Sequence, residues 1–189
     1  MSAPVLLHLL RHGAPLHTGT LLGRTDSPVT AAGLAACVAR AEGLAVDAVI
    51  ASDLIRASAC ADAIARARGL SAARDPRWRE LDFGAWDGLA PASLDQAALG
   101  AFWDDPDANP PPDGERWSSL VARVATACAA ITAPTLVVTH GGAMRAALSV
   151  LCGLGPRESW ALDLPYAALL SLRVWRAPAP SAQIVGLVT

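Results

Sequence analysis

Three short apolar runs, separated by longer stretches with helical spacing, constrain the fold of this chain more than any other feature. The runs cover residues 5–10, 46–51 and 135–139. Continuous apolar runs of this length are typical of strands covered on both faces. Strands that alternate with helices form a largely parallel sheet between helix layers. We therefore predict an α/β fold, a three-layer α/β/α sandwich with a mostly parallel central sheet.

The remainder of the chain predicts one closing strand pair and one long insertion. Residues 168–175 and 184–188 are typical of strands, and "RAPAPSAQ" joins them. A length of 189 residues favours a single domain over residues 1–189. Residues 91–117 are rich in proline and aspartate, which predicts a loop acting as a lid or specificity insertion. Three tryptophans in or near it could stack on a planar base or simply pack: Trp86, Trp103 and Trp117.

Polar residues follow each of the three apolar runs at the point where the predicted strand ends. "RHG" follows the first run, "SDLIR" the second and "THGG" the third. The carboxyl ends of parallel strands meet at one edge, where such sheets bind ligands. Arg56 and His140 taken singly would be a surface arginine and a structural histidine. The shared edge instead predicts that they lie beside Arg11 and His12.

Composition excludes several classes of function. All 15 cationic residues are arginines, so a P-loop lysine or a Schiff-base lysine is impossible. The net charge of −2 gives no basic field for nucleic acid or a membrane surface. We find no membrane span or signal peptide and predict a cytoplasmic protein. The four cysteines lie far apart in helical patterns, which predicts free structural thiols: Cys37, Cys60, Cys128 and Cys152.

Two arginines and two histidines suit a phosphorylated small molecule as partner. Guanidinium groups bind phosphate oxygens in pairs. Gly141 and Gly142 begin a helix, whose free N–H groups and dipole add to the anion site. The positive charge of Arg11 disfavours protonation of the neighbouring His12. A neutral imidazole keeps one ring nitrogen free for nucleophilic attack. The product would be a phosphohistidine that water later hydrolyses.

A metal site is the alternative use of the histidines. His8 and His12 are four residues apart, a spacing that suits zinc on a helix. Here the segment is predicted as a strand, and no acidic residue or cysteine lies nearby to complete a ligand set. We therefore predict no metal and no cofactor, a core or edge position for His8, and a solvent-exposed loop position for His17.

Glu80 is the candidate proton donor, on weaker grounds. It lies in "WRELDFGAWDG", where apolar surroundings would favour the protonated acid. The alternative is a rim carboxylate paired with Arg77 or Arg79. The residues alone leave this choice open.

Six motifs carry a resemblance to a known family: "LLRHG", "GRTDSPVTAAG", "ASDLIRASACADAI", "RELDFGAWDG", "PDGERW" and "VVTHGG". In this order and spacing, the chain resembles the histidine phosphatase superfamily, which includes the phosphoglycerate mutases and smaller phosphatases. The resemblance implies a phosphoglycerate mutase-like fold with His12 as the phosphorylated nucleophile. It also implies that Arg11, Arg56 and His140 hold the phosphoryl group and that Glu80 donates the proton.

Within the superfamily, the short chain, "ELDFGAWDG" and "PDGERW" look most like alpha-ribazole phosphatases, which remove a phosphate late in assembly of the cobalamin lower-ligand nucleotide. The chain departs from the family pattern at Thr18, where many relatives have asparagine, at Ala14, and at Arg116, which is commonly serine. Together with Gly23 and Gly141, Thr18 and Arg116 are the candidate substrate-binding residues.

Three other functions remain open on this reading: a broad-specificity small-molecule phosphatase, a phosphoglycerate mutase-like phosphotransferase, and a non-catalytic phospholigand-binding protein. A non-catalytic binding protein would be favoured if the sequence lacked the nucleophile or the acid. Both His12 and Glu80 are present. The sequence does not determine the oligomeric state.

Overall fold

A six-stranded sheet forms the centre of the protein. The computed structural model describes residues 3–176 and 180–189. The strands are Val5–Arg11 (β1), Ala48–Ala51 (β2), Ala72–Arg74 (β3), Thr135–Thr139 (β4), Leu169–Trp175 (β5) and Ser181–Val188 (β6). Their order across the sheet is β3-β2-β4-β1-β5-β6. The first four of these run parallel, whereas β5 is antiparallel to β1 and β6. The predicted mostly parallel sheet is confirmed.

Helices cover both faces of this sheet. They are Ala31–Ala41 (α1), Ile55–Ala67 (α2), Gln96–Asp104 (α3), Trp117–Ala129 (α4), Gly141–Cys152 (α5) and Pro156–Ser159 (α6). Short 3-10 turns occur at Pro76–Trp78, Gly84–Trp86 and Pro91–Ser93.

Strand β1 shows how the three layers arise, because successive side chains of a strand point to opposite faces. Leu7 and Leu9 enter a core with residues of α4 and α5. Leu10 enters a second core on the other face, with residues of α1 and α2. The predicted three-layer α/β/α sandwich is confirmed.

The structure differs from the sequence prediction in three elements. Strand β3 was not predicted, because it has only three residues and two of them, Ala73 and Arg74, are exposed, which leaves no apolar run. Strand β6 begins before residue 184, and part of the predicted "RAPAPSAQ" connection, residues 177–179, lies outside the described residues. The insertion predicted as a loop contains α3, whose N-cap Asp95 accepts a hydrogen bond from the Ala98 N–H at 2.8 Å. Burial of Leu99 and Phe102 then holds the helix against the core.

The three predicted polar strand ends meet at one edge of the sheet. Arg11 lies beside Thr139 in the register of β1 and β4, so His12 and His140 follow at neighbouring positions. A glycine at position 13 lets the chain turn closely against α1, because a Cβ there would lie 2.2 Å from the Gly33 carbonyl oxygen. Packing between the first turn and the first helix thus depends on the glycine of "RHG".

All four cysteines lie in helices and carry free thiols, and Cys37, Cys60 and Cys128 are buried. None of the helices in residues 3–176 and 180–189 is both long and apolar enough to cross a bilayer.

Candidate active site

His12 is buried at the end of β1, with 4% of its surface exposed. Its Nδ1 lies 2.7 Å from the Gly13 carbonyl oxygen. A carbonyl only accepts, so Nδ1 carries the proton and the neutral ring keeps its lone pair on Nε2. Burial, then Arg56 and Arg11, lowers the pKa of His12 to about 3. The ring is therefore neutral at physiological pH, and burial contributes more to this than the neighbouring Arg11.

Arg56 is fully buried, which excludes a surface role. Its guanidinium donates to the carbonyl oxygens of Thr25 at 2.8 Å, Leu22 at 2.8 Å and Gly23 at 2.9 Å. Within the described residues, no acidic side chain forms an ion pair with it. Gly23 accepts one of these three hydrogen bonds through its carbonyl oxygen, and it does not line the cavity beside His12. Gly23 thus anchors the loop around Arg56.

His140 lies next to His12, with ring centroids 5.0 Å apart. It is fully buried, and its Nε2 lies 2.8 Å from the Ser52 hydroxyl. Burial, followed by the charge of Arg56, lowers the pKa of His140 well below its usual value. The first residue of "SDLIR" therefore orients the histidine of "THGG".

Arg11 approaches the same place from the end of β1. Its Nη1 donates to the Leu164 carbonyl oxygen at 2.6 Å. Its guanidinium carbon lies 4.3 Å from the centre of the Tyr166 ring, a cation–π contact. Tyr166 also contacts His12, at 5.4 Å between ring centroids. The segment after α6 therefore holds both residues in place.

Several buried polar atoms around His12 have no hydrogen-bond partner among the described residues. They include Arg11 Nε, Arg56 Nε, His140 Nδ1 and Thr20 Oγ1. Buried polar groups are nearly always paired, so a cluster of unpaired ones indicates a ligand that pairs with them. The cationic guanidinium groups among them favour an anion as that ligand.

A cavity of about 220 Å³ opens at these strand ends, and we call it the strand-end cavity. Arg11, His12 and Gly141 lie in its lining. Aromatic residues contribute much of the rest: Phe83, Phe102, Trp103, Trp117 and Trp160. The cavity therefore combines polar and cationic groups with a large aromatic surface.

Three of the four candidate substrate-binding residues lie outside this lining: Gly23, Thr18 and Arg116. Thr18 is exposed, whereas Thr20 lines the cavity. Arg116 is exposed and donates to the Asp107 carbonyl oxygen at 2.6 Å. Trp86 is also outside the lining and packs edge-to-face on Phe102.

Glu80 lines the cavity and is held by backbone N–H groups. Its Oε2 accepts from Gly142 at 3.1 Å, and its Oε1 accepts from Leu81 at 2.9 Å. The two arginines of the alternative reading pair with other carboxylates: Arg77 with Asp75, and Arg79 with Asp53. Glu80 is thus left free to face a ligand.

The remaining histidines lie away from the cavity. His8 is buried in β1 with its Nδ1 2.8 Å from the Ser171 hydroxyl. His17 is exposed, and its Nδ1 lies 3.0 Å from the Ser27 hydroxyl. In the parts of the chain that the structure describes, no three His, Cys, Asp or Glu side chains cluster closely enough to hold a metal ion.

Comparison with known proteins decides the family. The profile of the histidine phosphatase superfamily (branch 1) matches residues 7–179. The chain belongs to the histidine phosphatase superfamily.

Individual members of the superfamily resemble this histidine phosphatase along most of its length. A Yersinia enterocolitica protein named "Probable phosphoglycerate mutase GpmB" is 31% identical, over 90% of this chain and 85% of its own. A glucosyl-3-phosphoglycerate phosphatase of Mycolicibacterium vanbaalenii is 32% identical, over 82% and 76%. The solved structure of a mycobacterial glucosyl-3-phosphoglycerate phosphatase superposes with a TM-score of 0.86 at 26% identity, over 96% of this chain and 97% of that one.

Two adjacent glycines of this histidine phosphatase allow a test of the position of Glu80. A Cβ at Gly142 would lie 2.1 Å from Glu80 Oε1, whereas one at Gly141 would meet only Arg11, at 3.6 Å or more. We expect Gly142→Ala to displace the carboxylate and to lower kcat/KM with an alkyl phosphate by roughly tenfold to a hundredfold. Gly141→Ala, the matched variant, should cost clearly less. Equal losses would contradict the assigned contact.

Several cavity residues were not singled out by sequence reasoning, and four of them carry polar or exposed aromatic groups: Thr20, Arg145, Trp160 and Tyr166. Arg145 follows "THGG" on α5, and an arginine in a helix is by sequence indistinguishable from a solvated one. The structure shows that it is buried. The other three lie in connecting segments, where no periodicity shows which side chains turn inward.

Proposed function

We propose that this histidine phosphatase hydrolyses phosphomonoesters through a phosphohistidine intermediate. The observation that carries the proposal is a neutral, buried His12 with its lone pair on Nε2, accompanied by Arg11 Nε, Arg56 Nε and His140 Nδ1, which have no hydrogen-bond partner among the described residues. Donors fixed in advance around a transferring group stabilise its transition-state charge without reorganisation. The site thus combines a nucleophile with an anion cradle.

In the first half-reaction, His12 Nε2 attacks phosphorus and forms the N–P bond. The ester P–O bond breaks, and the leaving oxygen takes a proton from Glu80. The phosphoryl oxygens are held by Arg11 and Arg56. Because Glu80 is anchored by two backbone N–H groups, it is fixed on the cavity side of the leaving group.

In the second half-reaction, water attacks the phosphohistidine. Glu80, now ionised, accepts a proton from that water, the N–P bond breaks, and the electron pair returns to His12 Nε2. Inorganic phosphate leaves, and the protein regains its starting protonation state.

The proposed reaction needs no metal. We expect hydrolysis of p-nitrophenyl phosphate to proceed at the same rate with and without excess chelator, because arginines supply the positive charge that a metal would otherwise provide. The measurement is release of nitrophenolate after dialysis against the chelator. Loss of activity that a divalent cation restores would overturn the metal-free mechanism.

Thr20 is proposed to donate its hydroxyl to a phosphoryl oxygen, since its Oγ1 is buried in the cavity wall and has no partner in residues 3–176 and 180–189. Removing one such donor with Thr20→Val should lower kcat/KM about tenfold, the worth of one hydrogen bond to a charged group. Thr18→Val removes the same hydroxyl from an exposed position and serves as the control. A larger loss in Thr18→Val would return the role to that residue.

The substrate proposed within this class is an alpha-ribazole phosphate. The resemblance of "ELDFGAWDG" and "PDGERW" supports it, and so does the aromatic surface of the cavity, which suits a planar base. Phe102, Trp103, Pro106 and Trp117 come from residues 91–117, which we propose to act as the specificity insertion. A cytoplasmic role in cobalamin assembly belongs to the same proposal. Comparison of kcat/KM for alpha-ribazole 5′-phosphate and for 3-phosphoglycerate tests it.

The names of the relatives favour a second candidate, a mutase or a phosphatase acting on a phosphoglycerate derivative. A mutase passes the phosphoryl group to a second acceptor, whereas a phosphatase passes it to water. Incubation with 3-phosphoglycerate separates the two, because a mutase yields 2-phosphoglycerate and a phosphatase yields inorganic phosphate.

A further inference from the structure

Two tryptophans at the rim of the strand-end cavity expose unusually large aromatic surfaces. Trp103 at the end of α3 is 40% exposed, and Trp160 directly after α6 is 53% exposed. Both line the cavity. Their ring centroids lie 5.3 Å apart with the planes at 86°. Two segments distant in sequence therefore bring their indoles together at the cavity mouth.

Each indole is held in place by its own neighbour. The guanidinium carbon of Arg145 lies 4.0 Å from the centre of the Trp160 ring. Arg145 is itself fixed, because it is 8% exposed and its Nη1 donates to the Ser159 and Leu162 carbonyl oxygens. Trp103 packs edge-to-face on the buried Phe102, with ring centroids 4.7 Å apart. The rings are thus arranged before any ligand binds, which reduces the entropy lost on binding.

The cavity around these rings offers apolar surface. Phe83, Pro106 and Pro156 lie in its lining together with the two indoles. A leaving group rich in hydroxyls would lose hydrogen bonds to water there. A planar ring would instead bury one face against one indole and an edge against the other, because the two indole planes lie at 86° to each other.

We propose that Trp103 and Trp160 form a recognition site for a planar aromatic ring on the leaving group of the phosphomonoester. This inference rests on the proposed function, because it assumes that the phosphoryl group lies at His12. The cavity that contains His12 also contains both indoles, so a leaving group can reach them while its phosphoryl group contacts the nucleophile. The substrate class is an aromatic riboside phosphate, in contrast to a polyol or sugar phosphate.

Two substrates with the same leaving oxygen isolate the contribution of the ring. Benzimidazole riboside 5′-phosphate and ribose 5-phosphate both release a ribose 5-hydroxyl, and only the first carries a planar base. We expect the unaltered protein to favour the first by about tenfold to a hundredfold in kcat/KM, the range for stacking one base. Trp160→Leu and Trp103→Leu should each reduce this ratio severalfold or more.

Trp175→Leu is the matched control, since Trp175 ends β5 outside the cavity lining. Trp175→Leu should leave the ratio of the two kcat/KM values unchanged. Thermal melting of each variant shows whether it is folded. A ratio near one in the unaltered protein, or one that neither rim variant reduces, would overturn the inference and leave intact the proposed hydrolysis of phosphomonoesters through phosphohistidine. Absence of turnover of both substrates and of p-nitrophenyl phosphate would overturn the proposed function itself.

Discussion

His12→Ala is expected to abolish hydrolysis of every phosphomonoester, whatever its leaving group. The variant lacks the atom that forms the N–P bond, so the loss in kcat should be on the order of 10⁵ or more. Burial and two arginines keep the pKa of His12 at about 3, so no other protonation state replaces the neutral nucleophile near neutral pH. His17→Ala provides a matched control, because His17 is exposed and lies outside the cavity.

The direct measurement is transfer of labelled phosphate to the protein after rapid mixing with substrate and quenching. The label should map to His12 and should be labile in acid and stable in base, as expected of a phosphoramidate. It should be absent from His12→Ala and present in His17→Ala. Label that survives acid, or that persists in His12→Ala, would show that another residue is the nucleophile.

Glu80→Gln should affect substrates according to the basicity of their leaving groups. An alkoxide needs a proton as it departs, so loss of the acid should slow phosphorylation of His12 by a sugar phosphate roughly 10²- to 10⁴-fold. A nitrophenolate leaves with little such help, so p-nitrophenyl phosphate should suffer much less. Leu81 donates to Oε1 and Gly142 to Oε2, and glutamine keeps only one of these two acceptors, so one of the two anchoring bonds is lost in the variant. Because that loss is the same for both substrates, the difference between the two leaving groups reports the proton transfer.

Single-turnover phosphorylation of each variant with the two substrates separates this effect from later dephosphorylation. Glu42→Gln is the control, since Glu42 is exposed at the end of α1. Equal losses for both leaving groups in Glu80→Gln would mean that Glu80 positions the site, and the acid role would pass to another carboxylate.

The polar ends of the strands could be predicted because their signals are local. Apolar runs and helical spacing identify β1, β2 and β4, and parallel pairing then requires their carboxyl ends to share one edge. Arg11, His12 and His140 follow from that rule alone. Arg56 follows less directly, because its burial depends on three carbonyl groups from a loop about thirty residues earlier in the chain.

Glu80 illustrates a choice that the sequence narrowed without deciding. Its apolar neighbours favoured an acid, and its two flanking arginines favoured an ion pair. The tertiary structure excludes the ion pair, because Asp75 and Asp53 pair with those arginines and Gly142 provides an N–H without a side chain in the way. The role of Glu80 as the acid stays a prediction.

By itself the sequence determined the layered sheet and the residues at its polar edge, since periodicity and strand order are properties of neighbouring residues. Only the tertiary structure decided that Thr20 and not Thr18 lines the cavity, because the loop path depends on contacts such as that of the Leu21 N–H with the Leu89 carbonyl oxygen. It likewise decided that Trp103 and Trp160 meet. Their contact joins segments whose separation along the chain leaves no local pattern, so it arises only when α3 and α6 pack around the same cavity.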